Sequence, residues 1–154
     1  MKLLIVEDDD NKRAHIRAFV DEEFPGWEVH EAVSLITALR AAHSIYPDIV
    51  LLDMALPNYD EGSATGSADI LHFGGQEFLR QVRRASIDCR VIVVSQFETF
   101  GDPPNRKAFA QLVDELGSQF EGMFAGGVYY QASQSDWMEK LGPMLRGASN
   151  RGES

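Results

Sequence analysis

Apolar residues come in two textures along this chain. Short unbroken runs at 3–6, 49–52 and 91–94 carry no helical period and are rich in Val, Ile and Leu, the pattern of strands buried on both faces. Trp27-Glu28-Val29-His30-Glu31 alternates as a short strand does, and residues 124–130 read as a further strand softened by Gly126 and Gly127. Between these runs the period lengthens. Residues 11–23 place Ala14, Ile16, Ala18, Phe19 and Val20 on an amphipathic helix with basic residues on its outer side, ended by Pro25-Gly26. Ser34 caps a second helix whose Leu35, Ile36, Leu39 and Ala42 face inward. Residues 76–85, with Phe78, Leu79 and Val82 on one face, predict a third helix. Residues 106–120, with Phe109, Leu112, Val113, Leu116 and Phe120, predict a fourth of about four turns. Ser135 opens a fifth through Trp137, Leu141 and Leu145, with a kink expected at Gly142-Pro143. Strand and helix alternate, which predicts right-handed crossovers and an α/β, doubly wound domain: a five-stranded parallel sheet flanked by five helices.

Three of the strands run into chemistry. The run at 3–6 leads to Glu7-Asp8-Asp9-Asp10, the run at 49–52 to Asp53, and the run ending at Val94 to Ser95. In open α/β sheets ligands bind at this carboxyl edge, so acids placed there are site candidates. Carboxylates converging at one edge repel by about 4 kcal/mol per close pair at an effective dielectric near 20, and require a cation. An all-oxygen donor set suits Mg²⁺ or Mn²⁺ rather than zinc. Transfer of a phosphoryl group to a carboxylate needs a nucleophilic oxygen, a divalent ion and donors for the phosphoryl oxygens. Asp53 is the candidate nucleophile and the Ser95 hydroxyl a candidate donor. The plainer readings are a capping Asp53, a strand-end Ser95, and Glu7 and Asp8 as the acidic start of a helix, where Asp9 and Asp10 belong as cap residues.

The residues Glu7, Asp8, Asp53 and Ser95, in this order at three strand ends, make residues 2–145 similar to the phosphoacceptor receiver domains of bacterial two-component response regulators. The resemblance implies the flavodoxin-like receiver fold and a phosphoryl group accepted on Asp53 from a histidine kinase. It further implies Mg²⁺, with Mn²⁺ as substitute, held by Glu7, Asp8, Asp53 and the main-chain carbonyl of Ala55. Ser95 becomes the hydroxyl that meets the phosphoryl group, and either Tyr129 or Tyr130 the aromatic that swings inward on activation. The run Gly75-Gln76-Glu77-Phe78-Leu79 resembles the start of the family's third helix.

Two departures stand against that pattern. Receivers carry a Lys at the end of the fifth strand, where this chain has Val128-Tyr129-Tyr130-Gln131; Gln131 can donate a hydrogen bond but brings no charge. The chain is also longer than the family pattern near 58–75, a Gly-, Ser- and acid-rich loop, and across 96–123, where the fourth helix is enlarged. Residues 1–146 are thus expected to form a stand-alone receiver and 147–154 a disordered tail. Such a protein assists its own phosphorylation and hydrolysis, is otherwise no enzyme, and signals by contact with a downstream protein. Its expected surface is that of the fourth helix, fifth strand and fifth helix, through which a homodimer also stays open. The alternative is a pseudo-receiver that binds partners through the long loop and fourth helix irrespective of phosphate.

Composition narrows the remaining classes. A net charge of -10 over 154 residues and a pI near 4.7 argue against a nucleic-acid-binding face. The single Cys89 excludes an internal disulfide, and no stretch approaches the roughly 18 apolar residues of a membrane span, so a cytoplasmic protein is expected. Gly74-Gly75-Gln76-Glu77-Phe78 is one letter from the diguanylate cyclase signature but leads into a helical pattern. There is no P-loop, and Ala55 stands where haloacid-dehalogenase-type phosphatases carry a second Asp. His15 sits on a helix, as in phosphotransfer domains, but those are all-helical. His30, His43 and His72 lack metal-ligand spacing.

Overall fold

The computed structural model describes residues 1–57, 74–100 and 107–150. The order is β1 (Lys2–Val6), α1 (Asp10–Glu23), β2 (Glu28–Ala32), α2 (Leu35–Ile45), β3 (Ile49–Leu52), α3 (Gly74–Arg84), β4 (Arg90–Ser95), β5 (Thr99–Phe100), β6 (Lys107–Ala108), α4 (Phe109–Gln119), β7 (Phe124–Tyr129) and α5 (Asp136–Asn150). Five strands form one parallel sheet in the order β2-β1-β3-β4-β7. From β1 the chain winds outward to β2, and from β3 the other way to β4 and β7. The reversal falls between β1 and β3, which is where a doubly wound sheet opens a crevice at its carboxyl edge.

Alternation along the strands splits the core into two layers. Leu3, Ile5, Ile49, Leu51, Ile92 and Val94 pack under α1 and α5, against Ile16, Phe19, Trp137 and Leu141. Leu4, Val6, Val50, Leu52, Val91 and Val93 pack on the opposite face under α2, α3 and α4. The strand side chains are essentially free of solvent, each contributing about 1.5 to 3 kcal/mol of transfer free energy. Ser34 caps α2 as expected, its hydroxyl accepting from the Thr37 N–H while the Thr37 side chain answers the Ser34 N–H. Among the described residues no helix is long and apolar enough to cross a membrane.

Several boundaries differ from the sequence pattern. α3 starts at Gly74 rather than 76, because its first turn lies directly on the segment after β3: the Gly75 N–H donates to the Met54 carbonyl at 3.0 Å. A Cβ on Gly74 would stand 2.6 Å from the Leu56 oxygen and one on Gly75 2.8 Å from the Asp53 oxygen, so glycine is what allows the approach. Residues 107 and 108 are not helical but pair antiparallel with 99 and 100, leaving α4 eleven residues and three turns rather than an enlarged helix. β7 carries a register shift between its pairings to Val91 and Ile92, with Gly126 at φ +127° in the left-handed region. α5 passes through Pro143 without ending and continues to Asn150. Ala148 packs in the core, so residues 147–150 belong to the fold and not to a disordered tail. The 58–73 part of the long loop and residues 151–154 lie outside the described residues.

Candidate functional site

Each functional side chain is placed by a strand end. The Glu7 N–H donates to Ala32 O and the Asp53 N–H to Val6 O, both at 3.0 Å, so the sheet hydrogen bonding carries one residue past β1 and β3 and delivers both acids to the crevice. Asp9 then starts α1 as its N-cap, its carboxylate accepting from the Lys12 N–H at 2.7 Å, while the Asp9 N–H donates to Glu7 Oε1. Asp9 is thus the cap that the sequence suggested.

One carboxylate oxygen from each of Glu7, Asp8 and Asp53 lies within 4.8 Å of the others. Glu7 and Asp53 are buried, Asp8 exposed. Above them opens a cleft of about 500 Å³ with Asp53 and Ala55 in its lining, the 8–11 segment on one side and Gln96 and Phe97 on the other. Burial pushes the Glu7 carboxyl well above its ordinary range, the Asp53 charge adds to the shift, and Lys12 opposes it. Asp8 is raised as well, by partial desolvation at the rim of the cleft and then by Asp53. Raised proton affinity marks a carboxylate cluster short of positive charge, and hard oxygen donors at this spacing fit a divalent ion such as Mg²⁺.

Ser95 closes β4, fully buried, and its hydroxyl exchanges hydrogen bonds with Phe97, accepting from the N–H at 3.0 Å and donating to the carbonyl at 3.3 Å. The main chain of Ala55 donates to Asp53 Oδ1 at 3.3 Å. Tyr129 is half-buried and its hydroxyl donates to Glu98 at 3.4 Å. Tyr130 is buried, shares a 2.8 Å hydrogen bond with His15 Nδ1 and packs near Trp137. Gln131 is exposed and is not part of the cleft lining.

One residue of this site was missed in the sequence. Lys12 was grouped with the outward basic face of α1, yet its side chain is 1% exposed and its ammonium pairs with Glu7 at 2.5 Å. It also donates to Val94 O at 2.7 Å and stands 3.7 Å from Asp53 Oδ1. The signal was present: the inward stripe of α1 is Lys12, Ile16, Phe19 and Val20, one turn longer than its apolar members, whereas Ala14 and Ala18 face solvent.

No family model matches the chain. The uncharacterized protein y4jR of Sinorhizobium fredii is 40% identical over 138 residues, which is 89% of this chain and 91% of that protein. The Detocs response regulatory protein DtcB of Enterobacter cloacae is 28% identical over 143 residues, 92% of this chain and 95% of its own. Among solved structures, a response regulator receiver domain protein from Clostridium thermocellum matches with a TM-score of 0.64 at 19% identity, covering 99% of this chain and 96% of that one. The strand order, the five helices around the sheet and these likenesses agree: the chain has the fold of the receiver domains it resembles and belongs to one family with y4jR.

Proposed function

We propose that the protein is a cytoplasmic phosphoacceptor that takes a phosphoryl group from a histidine kinase onto Asp53 and signals by protein contact. The observation that carries this reading is the convergence of the Glu7, Asp8 and Asp53 carboxylates at the crevice between β1 and β3. Glu7, Asp8, Asp53 and the Ala55 main-chain carbonyl would hold Mg²⁺ or Mn²⁺. When bound, that ion neutralises charge on the incoming phosphoryl oxygens.

The chain's own residues do the rest. Asp53 presents its carboxylate to the cleft, with the Ala55 N–H fixing Oδ1. Its oxygen forms the bond to phosphorus as the bond to the donor breaks. Ser95 exchanges its contacts with Phe97 for a phosphoryl oxygen, which re-sets the segment from Gln96 to Glu98. Tyr129 reports that change, because its hydroxyl is bonded to Glu98, whereas Tyr130 is tied to His15. The altered surface is that of α4, β7 and α5, where a downstream protein would dock and a second copy would pair.

The test is intact mass after incubation with Mg²⁺ and acetyl phosphate, beside Asp53→Asn. One added phosphoryl group, absent from the variant and labile to hydroxylamine, is expected; no adduct overturns the reading. The second reading is a phosphorylation-independent interaction module, favoured by a β7 that leads into Tyr130 and an exposed Gln131 without a lysine. Under it, partner capture is the same for the protein and Asp53→Asn.

A further inference from the structure

We propose that Lys12, on the first turn of α1, is the cationic contact for the phosphoryl group on Asp53, so that the charge absent after β7 is supplied from the opposite end of the chain. This deepens the phosphoacceptor reading and rests on it. An ammonium has three protons to donate. Glu7 and the Val94 carbonyl take two of them at hydrogen-bond length, and they fix the side chain between β1 and β4. Asp53 Oδ1 stands next nearest, 3.7 Å from the ammonium and beyond hydrogen-bond length, which leaves the third proton for another acceptor on that side. A phosphoryl group on Asp53 adds oxygens next to that position and gives the remaining proton a charged acceptor.

The placement is costly and therefore informative. Burying an ammonium is unfavourable in itself, and position 12 continues the stripe of Ile16, Phe19 and Val20, so the acid cluster beside it, and not helix packing, accounts for a lysine there. The carbonyl of Val94 holds Lys12 on the strand that ends at Ser95, so the Lys12 ammonium and the Ser95 hydroxyl, both assigned to the phosphoryl oxygens, are anchored at one strand end. In the transfer, Asp53 oxygen bonds to phosphorus, the bond from phosphorus to the donor breaks, and the donor leaves with the electron pair. Lys12 keeps its protons throughout and contributes its charge and a hydrogen bond.

The test uses the full chain with Mg²⁺ and beryllofluoride as the phosphoryl mimic. In ¹⁵N-lysine NMR, the Lys12 ammonium signal, identified by its loss in Lys12→Arg, is expected to shift on adding beryllofluoride to the Mg²⁺-loaded protein. Lys12→Met is expected to weaken beryllofluoride binding by about tenfold or more and Lys12→Arg by less, with Mg²⁺ affinity in Lys12→Met no weaker than before. An unmoved ammonium signal, or unchanged beryllofluoride affinity in a folded Lys12→Met, overturns the assignment while the phosphoacceptor reading stands. If Lys12→Met does not fold, the NMR signal of the unaltered chain decides. Failure of the unaltered protein to respond to beryllofluoride at all overturns both.

Discussion

The carboxyl edge of the sheet has two halves that solve different problems. The β1/β3 half gathers Glu7, Asp8, Asp53 and Lys12, three of them buried, into a cluster in which burial and the Asp53 charge raise the Glu7 and Asp8 carboxyls. The β4/β7 half carries the exposed Glu98 but, among the described residues, no buried charge, and its polar groups are satisfied locally: Ser95 by the Phe97 backbone, Tyr129 by Glu98, Tyr130 by His15. One half stores unfavourable electrostatics that a cation relieves; the other is ordinary packed structure. Substitutions in the first should therefore be large and sensitive to Mg²⁺, and in the second small and indifferent to it.

The sharpest separation comes from Lys12→Ala, which leaves Glu7 and Asp53 buried without their ammonium. In the metal-free protein urea unfolding should show a loss of about 3 to 5 kcal/mol, part of it recovered on adding Mg²⁺. A change under 1 kcal/mol, on the scale of an ordinary surface substitution, would erase the contrast.

Next comes pH. The Glu7 carboxyl is pushed up to about 8 by burial first, then by Asp53. The folded protein thus binds a proton that the unfolded chain has released. This contribution to metal-free stability is complete below about 4.5, the ordinary value for Glu, and is lost as pH rises toward 8, with a slope of at most about 1.4 kcal/mol per pH unit. Unfolding midpoints measured across that window should fall with pH, and Glu7→Gln should flatten the trend.

In the β4/β7 half, Tyr130→Phe removes the 2.8 Å bond to His15 and should cost about 1 kcal/mol, the same with and without Mg²⁺. Smallest of all, Gln131→Ala should leave stability within about 0.5 kcal/mol and phosphorylation from acetyl phosphate unchanged, since Gln131 is exposed and not part of the cleft lining. Mg²⁺ sensitivity in either variant would join the two halves into one network.

The parallel sheet was legible because β1, β3 and β4 are buried on both faces and so read as unbroken apolar runs, each with its terminal Glu7, Asp53 or Ser95 visible beside it. What the sequence hid were features set by three-dimensional register. Lys12 looks like one more solvated charge in Asp9-Asp10-Asn11-Lys12-Arg13 until the helix phase is carried back one turn from Ile16. The start of α4 was placed too early because Arg106, Lys107 and Ala108 are acceptable helix formers, and only pairing with residues 99 and 100 makes 107 and 108 extended. α5 stays continuous through Pro143, where the sequence suggested a kink, because Trp137, Leu141, Leu145 and Ala148 keep packing on the sheet past the lost donor.

The register shift in β7 has a consequence for how this molecule meets others. β2 and β7 are the outer strands of the sheet, and an outer strand with regular spacing is a template onto which a foreign strand can add. β7 is spoiled for that purpose by its extra residue and by Gly126, and β2 is hedged with charge, Glu31 held by Arg13 and Arg17 and Glu28 by His30. Both borders of the sheet resist zippering to a neighbour, which protects the chain from edge-to-edge aggregation and leaves its helical faces and its cleft as the surfaces for reversible encounters.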